Sequence, residues 1–205
     1  MKPIWTKSIT VALALLFAPV PTLHAGAADF DPAAQTVQSF YDALLDSMKH
    51  GKELGLQGRY NKLKPAVEQA YDLQTMTRFV AGPGWANFAP ADQQALVAAF
   101  ERMTIANYAS NFDSFGGEKF TVDPTAQTRG SDKVVHSKLV TDSQTIPFNY
   151  RMRQTGGSWK IVDVYLNGTI SQLATRRSDF ASTASSGAPA LIKKINDLTD
   201  EQMKK

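Results

Sequence analysis

The chain has 205 residues, 43% hydrophobic and 20% charged, with a formal net charge of +3. That balance suits a globular domain with a real core, and it excludes a disordered chain and a strongly basic nucleic-acid binder. Cysteine is absent, which excludes disulfides, thiolate metal sites and a cysteine nucleophile.

The first element in chain order is an export signal. Lys2 and Lys7 supply a positive start, no acidic residue precedes Asp29, and Ile9 to Phe17 is an apolar core of the length of a signal h-region. Pro19 and Pro21 then interrupt it, and the run falls short of the roughly 20 residues that span a bilayer. Small residues follow, so cleavage is expected after Ala25 or Ala27. Residues 1–25 would leave as a signal peptide, and 28–200 would form a single α+β domain. Loss of Lys2 and Lys7 leaves 20 basic residues against 19 acidic ones, a surplus of +1. No cation surface suited to nucleic acid remains.

Asp31 and Pro32 open the first helix, and Val37, Phe40, Tyr41, Leu44, Leu45 and Met48 form its apolar stripe up to Gly51. A second helix is expected from about Gln57, kinked or divided at Pro65. Asp72 caps a third, short one that ends at Gly82-Pro83-Gly84. Pro90 begins the longest, which runs towards Gly116-Gly117. The period then changes to two. Strands are expected at Phe120 to Val122, Val134 to Val140, Ile146 to Met152 and Trp159 to Leu166, with a hairpin turn at Gly156-Gly157. The last strand is apolar enough to be covered on both faces, and Asn167-Gly168 closes it with a turn. Two helices follow, Ile170 to Phe180 and Pro189 to Leu198, joined loosely through Ala181 to Gly187. Helices, then an antiparallel sheet, then helices is an α+β order.

Chemical motifs are sparse. His24 falls at the signal, His50 at a helix end and His136 alone in a strand, so no metal site is expected. There is no Gly-x-Ser-x-Gly elbow and no phosphate-cradling glycine loop, and no cofactor is expected. Asp163 lies among apolar residues of the last strand. It reads either as a raised-pKa acid or base or as a carboxylate held by a hydrogen bond or by Arg151 or Arg153 on the paired strand. The chain is rich in large adaptable apolar side chains, with 11 Phe, 6 Tyr, 6 Met and 3 Trp. They fill a core or line an elongated apolar pocket, and composition alone does not separate the two.

The stretch Trp159-Lys160-Ile161-Val162-Asp163-Val164, with Gly168 and then Arg177-Ser178-Asp179-Phe180, resembles the C-terminal signature of the MlaC/toluene-tolerance family. These are periplasmic proteins that carry phospholipids. Phe40-Tyr41, the stretch from Asp72 to Arg78, and the helix from Pro90 with Phe100 and Tyr108-Ala109 agree with it. Gly58-Arg59-Tyr60, Met103-Thr104-Ile105-Ala106 and Asp163 to Arg177 look more like the hopanoid-associated HpnM branch. The resemblance implies helices packed on a curved antiparallel sheet, an NTF2-like sheet with a helical subdomain, enclosing an apolar lipid cavity. It implies no catalysis. A monomeric periplasmic carrier of hopanoid or phospholipid is expected, docking transiently to an inner-membrane lipid transporter and an outer-membrane acceptor. Side-chain type and periodicity nominate Phe40, Leu44, Tyr71, Phe79, Val80, Trp85, Phe100, Met103, Tyr108, Tyr150, Met152 and Val164 as cavity-lining residues. The alternatives are an isomerase or lyase of small lipophiles using Asp163, and a structural periplasmic module with a filled core.

Overall fold

The computed structural model describes residues 30–204. The export signal and both cleavage positions lie outside the described residues. Six α-helices and five strands follow, one strand more than expected: α1 (Pro32–Lys49), α2 (Gly51–Ala70), α3 (Leu73–Ala81), α4 (Pro90–Asn111), β1 (Lys119–Arg129), β2 (Asp132–Val140), β3 (Thr145–Thr155), β4 (Ser158–Leu166), β5 (Ile170–Ser171), α5 (Gln172–Ser185) and α6 (Ala188–Gln202).

The helix starts follow local chemistry. Asp31 caps α1 by accepting from the Ala33 amide at 2.9 Å, and Pro32 occupies the first turn, where its missing N–H costs nothing. Asp72 caps α3 through the Thr75 amide. Helix α2 begins at Gly51, six residues before the expected Gln57. Its break falls at Gly55 (φ 60°, ψ −179°) and not at Pro65. Pro65 and Asn61, whose carbonyl loses its helical partner, are both exposed, so water takes up that bond and the helix continues. Gly51 is needed for a different reason. A Cβ there would meet the Asp113 carbonyl oxygen at 1.9 Å, so only glycine lets the α1–α2 junction lie against the end of α4.

The five strands form one open, curved antiparallel sheet in the order β1-β2-β3-β4-β5. Strand β1 is longer than its expected Phe120–Val122, because a bulge between Val122 and Ala126 carries Pro124 at the sheet edge. The Pro124 carbonyl accepts from the Asp31 amide at 2.9 Å, which ties the start of α1 to that edge. A second bulge separates β3 from β4. Met152 pairs with Ile161 and Tyr150 with Val164, so Val162 and Asp163 together oppose Arg151. Strand β5 covers only the end of β4, and Tyr71 covers the edge further along by bridging to Ile161. Two expectations change near the C-terminus. Residues Ile170 and Ser171 are strand and not helix, and α5 runs through Ser185, so the loose connection shrinks to Ser186-Gly187.

Helix α1 packs on β1 and β4, with α2 against α1, α4 between α2 and α6, and α3 beside α5. Phe40, Leu44, Leu63, Leu96, Ile105, Ile161 and Ile195 are fully buried in the shared core. Ser47 is buried with them and its hydroxyl has no partner among the described residues. An unpaired buried hydroxyl is destabilising, so Ser47→Ala is expected to raise the thermal midpoint, by a stability gain of about 1 kcal/mol.

On the outer face, Arg151 and Arg153 do not pair with Asp163. Both bind Asp132, Arg151 Nε at 2.6 Å and Arg153 Nε at 2.8 Å, and only 3% of the Asp132 side chain is exposed. Hydrogen bonds from Arg153, aided by Arg151, hold its carboxyl below the usual range although burial pushes it up. A depressed folded pKa stabilises above the unfolded value near 4 and is lost as pH falls through the folded one. The melting temperature of wild type is therefore expected to drop below about pH 4 more steeply than that of Asp132→Asn. Parallel acid profiles for the two proteins would contradict this.

Candidate functional site

A cavity of about 230 Å³ opens between α4, the α2–α3 junction, the ends of β3 and β4, and the start of α5. Its closed end is apolar. Tyr71, Met76, Phe100, Met103 and Leu173 are all buried there. Its mouth is polar, with Asn111 exposed and Gln172 and Arg176 half-buried. The wall from α4 is one helical face, Phe100, Met103, Thr104, Asn107, Tyr108 and Asn111, at alternating steps of three and one. The sheet contributes Phe148, Val164 and Leu166, which the β4 bulge brings onto one face.

The twelve nominated residues divide clearly. Tyr71, Phe100, Met103, Tyr108 and Val164 line the cavity. Phe40, Leu44, Val80, Trp85, Tyr150 and Met152 are buried in the core and not on the cavity wall. Phe79 lies outside, 41% exposed, with the Arg177 guanidinium 4.9 Å above its ring. Sequence reasoning missed Met76, Thr104, Asn107, Asn111, Phe112, Phe148, Leu166, Gln172, Leu173 and Arg176 as lining residues. The two asparagines carry a legible signal, because they continue the α4 stripe with polar residues as it nears the mouth. Phe112, four residues after Tyr108, continues the same stripe, whereas Leu166, Gln172, Leu173 and Arg176 depend on the β4 bulge and on where α5 starts.

Aromatic rings frame the closed end. Phe40 meets Tyr71 and Tyr108 edge-on, at centroid distances of 5.3 and 4.9 Å, and Tyr108 stacks on Phe112 at 5.9 Å. The hydroxyls of Tyr71 and Tyr108 hydrogen-bond to each other, joining the end of α2 to α4. Tyr41 donates to Ser137 Oγ at 2.7 Å, and Ser137 in turn donates to the Phe148 carbonyl on β3. Burial raises the pKa of Tyr41 to about 12 and pushes Tyr71, Tyr108 and Tyr150 up further. All four stay neutral at physiological pH, and the closed end carries no charge.

Asp163 lies at the cavity edge and is 7% exposed. Its Oδ1 accepts from the Val164 amide at 2.8 Å and the Leu173 amide at 3.1 Å, and Oδ2 accepts from Ser171 Oγ at 2.6 Å. Ser171 itself caps α5 by accepting from the Ala174 amide at 2.9 Å. The carboxylate therefore satisfies the first turn of α5, where an anion also suits the helix dipole. Among the described residues no three His, Asp or Glu side chains gather as a metal site. His50 bonds the Asp46 carbonyl and His136 bonds Asn149. No helix among the described residues is long and apolar enough to cross a membrane.

The family model described as MlaC protein matches residues 38–197, most of the chain. This chain belongs to the MlaC family. Among solved structures it is similar to a phospholipid-binding protein from Ralstonia solanacearum, determined in complex with a phospholipid at 1.53 Å. The TM-score is 0.73 and the identity 23%, over 84% of this chain and 99% of that one. The likeness shows a shared fold. No curated protein sequence matches.

In this MlaC-family member the cap made by Asp163 holds α5, and with it part of the cavity wall, to β4. Asp163→Ala leaves the buried Leu173 amide unpaired and is expected to destabilise by about 2 kcal/mol, whereas Asp163→Asn keeps an acceptor and costs less. Urea midpoints of the three proteins check the order; equal midpoints would remove the structural role assigned to this carboxylate.

Proposed function

We propose that the protein is a lipid carrier of the periplasm, which takes the apolar part of a phospholipid or hopanoid into the cavity between α4, the sheet and α5. The observation that carries the reading is the cavity's polarity, largely apolar and uncharged at the closed end and polar at the mouth. Membership of the MlaC family and the fold shared with a phospholipid-bound protein support it. Each methylene withdrawn from water stabilises by about 0.8 kcal/mol, so burial alone holds a long chain or ring system. Release requires a membrane or partner that offers equal burial. The export signal supports a periplasmic location, with cleavage after Ala25 or Ala27 freeing a single monomeric domain. Exchange with an inner-membrane transporter and an outer-membrane acceptor completes the carrier reading.

The hopanoid-associated resemblance is densest from Asp163 to Arg177. That segment is the end of β4, the Asn167-Gly168 turn, β5 and the first turns of α5. It forms one side of the mouth, where Leu166, Gln172 and Arg176 stand. An enzymatic role for Asp163 has little support, because all of its hydrogen bonds serve the strand and the cap of α5.

The cavity is smaller than the roughly 300–1,000 Å³ of ordinary ligand pockets, so loading must displace wall side chains such as Met76 and Met103. Val164→Trp is expected to fill the space between β4 and α4. Mass spectrometry of organic extracts should find lipid with the wild type and at least tenfold less with Val164→Trp, at similar thermal midpoints. Wild-type protein that never carries lipid and never accepts it from vesicles would sink the carrier reading.

A further inference from the structure

We infer that the paired hydroxyls of Tyr71 and Tyr108 form an oxygen-binding subsite inside the cavity, which takes a lipid whose apolar part carries a hydroxyl or keto oxygen along the chain. The inference rests on the carrier reading and deepens it by naming a chemical feature of the buried part of the cargo. Two tyrosine hydroxyls hold two protons, and the bond between them uses one. Whichever ring donates, the other keeps an O–H with no acceptor among the described residues. Tyr71 is only 4% exposed and Tyr108 is half-buried, and both line the cavity. A partner for the remaining proton therefore comes from the cavity.

The protein around the pair offers nothing stronger. Phe40 stands edge-on to both rings and Phe112 stacks on Tyr108, and an aromatic face is a weak acceptor. The other polar groups of the wall are committed or wet. Thr104 Oγ1 donates to the Phe100 carbonyl at 2.8 Å, and Gln172 Nε2 donates to the Ile170 carbonyl at 3.2 Å. Asp163 accepts from β4 and from the start of α5. Asn107, Asn111 and Arg176 are not buried, so water serves them. The tyrosine pair alone keeps a proton unspent beside a buried ring.

An O–H held away from any acceptor costs free energy, which an occupant with an oxygen at that depth recovers. A plain methylene chain packs against the pair and leaves the proton unpaired. A keto oxygen accepts it, and a chain hydroxyl accepts it while offering its own proton in return. Burial pushes the pKa values of Tyr71 and Tyr108 well above the usual tyrosine range, so the donor persists at every physiological pH. Burial of methylenes supplies affinity for any chain, and the pair adds a preference for one oxygenated at the matching depth.

The test titrates delipidated protein with stearic acid and with isomers hydroxylated near the carboxyl group, at mid-chain or near the methyl end, and reads affinities by native mass spectrometry. Wild type is expected to bind one isomer about fivefold more tightly than stearic acid, a ranking that needs no variant to observe. Tyr71→Phe and Tyr108→Phe each break the bond between the rings but leave one hydroxyl with its proton wholly free, so each should keep the preference. Tyr71→Phe/Tyr108→Phe removes both hydroxyls and should abolish it, with stearic acid still bound as by wild type. A preference lost already in both single variants gives the bond a structural role only and overturns the inference. Equal affinities in wild type, or a preference that survives in the double variant, also overturn it and leave the carrier reading standing. Wild type that binds none of these acids but accepts phospholipid from vesicles overturns the inference alone. Wild type that accepts no lipid at all takes the carrier reading with it.

Discussion

The cavity is walled by the sheet and by helices, which meet through backbone bonds at β5 and at the Tyr71–Ile161 bridge, and the Asp163 carboxylate ties β4 to the start of α5. Asp163 leaves the sheet at the β4 bulge and accepts from the amide of Leu173 and the hydroxyl of Ser171 at the start of α5. The bulge matters because strand side chains alternate between faces. An extra residue opposite Arg151 resets that alternation, so Ile161 below the bulge and Val164 and Leu166 above it all face inward. A regular β4 would put Val164 and Leu166 on the outer face. The position that turns a carboxylate towards α5 is therefore the position that makes the sheet wall of the cavity.

The closed end obeys a different constraint. Apolar surfaces facing a void lose dispersion contacts and tend to close on one another, so a hollow needs walls that hold their shape. Here aromatic rings locked edge-to-face serve that purpose, with Phe40 between Tyr71 and Tyr108. Their hydroxyls pair with each other, which lets polar atoms sit deep without water. Methionines stand beside this frame, and their unbranched side chains can rearrange without disturbing it. Rigid rings and movable thioethers together describe a wall that keeps its place while its volume changes.

The sequence was legible wherever structure is set locally. Asp31-Pro32, Asp72 and Pro90 mark helix starts because a cap and a pre-set φ act within one turn, and the alternation from Ile146 to Met152 marks β3 because one face is buried. The misjudged features are tertiary. Pro65 was expected to break α2, but it falls where water can replace the lost bond, and Gly55 breaks it instead. Pro124 sits inside β1 because the strand lies at an edge and bulges. The cavity shows the same division. Periodicity places Phe100, Met103 and Tyr108 on one face of α4, whereas Phe40 and Leu44, with equally good helical spacing, face the core. Which apolar stripe borders a hollow depends on how far apart two layers stand, and that distance is written in no single segment. Asp163 was noticed for its apolar neighbours, but its partners lie eight and ten residues away, across a turn.

A carrier must bind its cargo strongly enough to cross water and weakly enough to surrender it. Burial of methylenes works in both directions, because a membrane offers the same gain and the transfer is nearly neutral once the two are in contact. A small cavity with movable walls helps this balance. Closing it when no lipid is held removes apolar surface from water, and that gain offsets part of the binding energy, which keeps the cargo from becoming trapped.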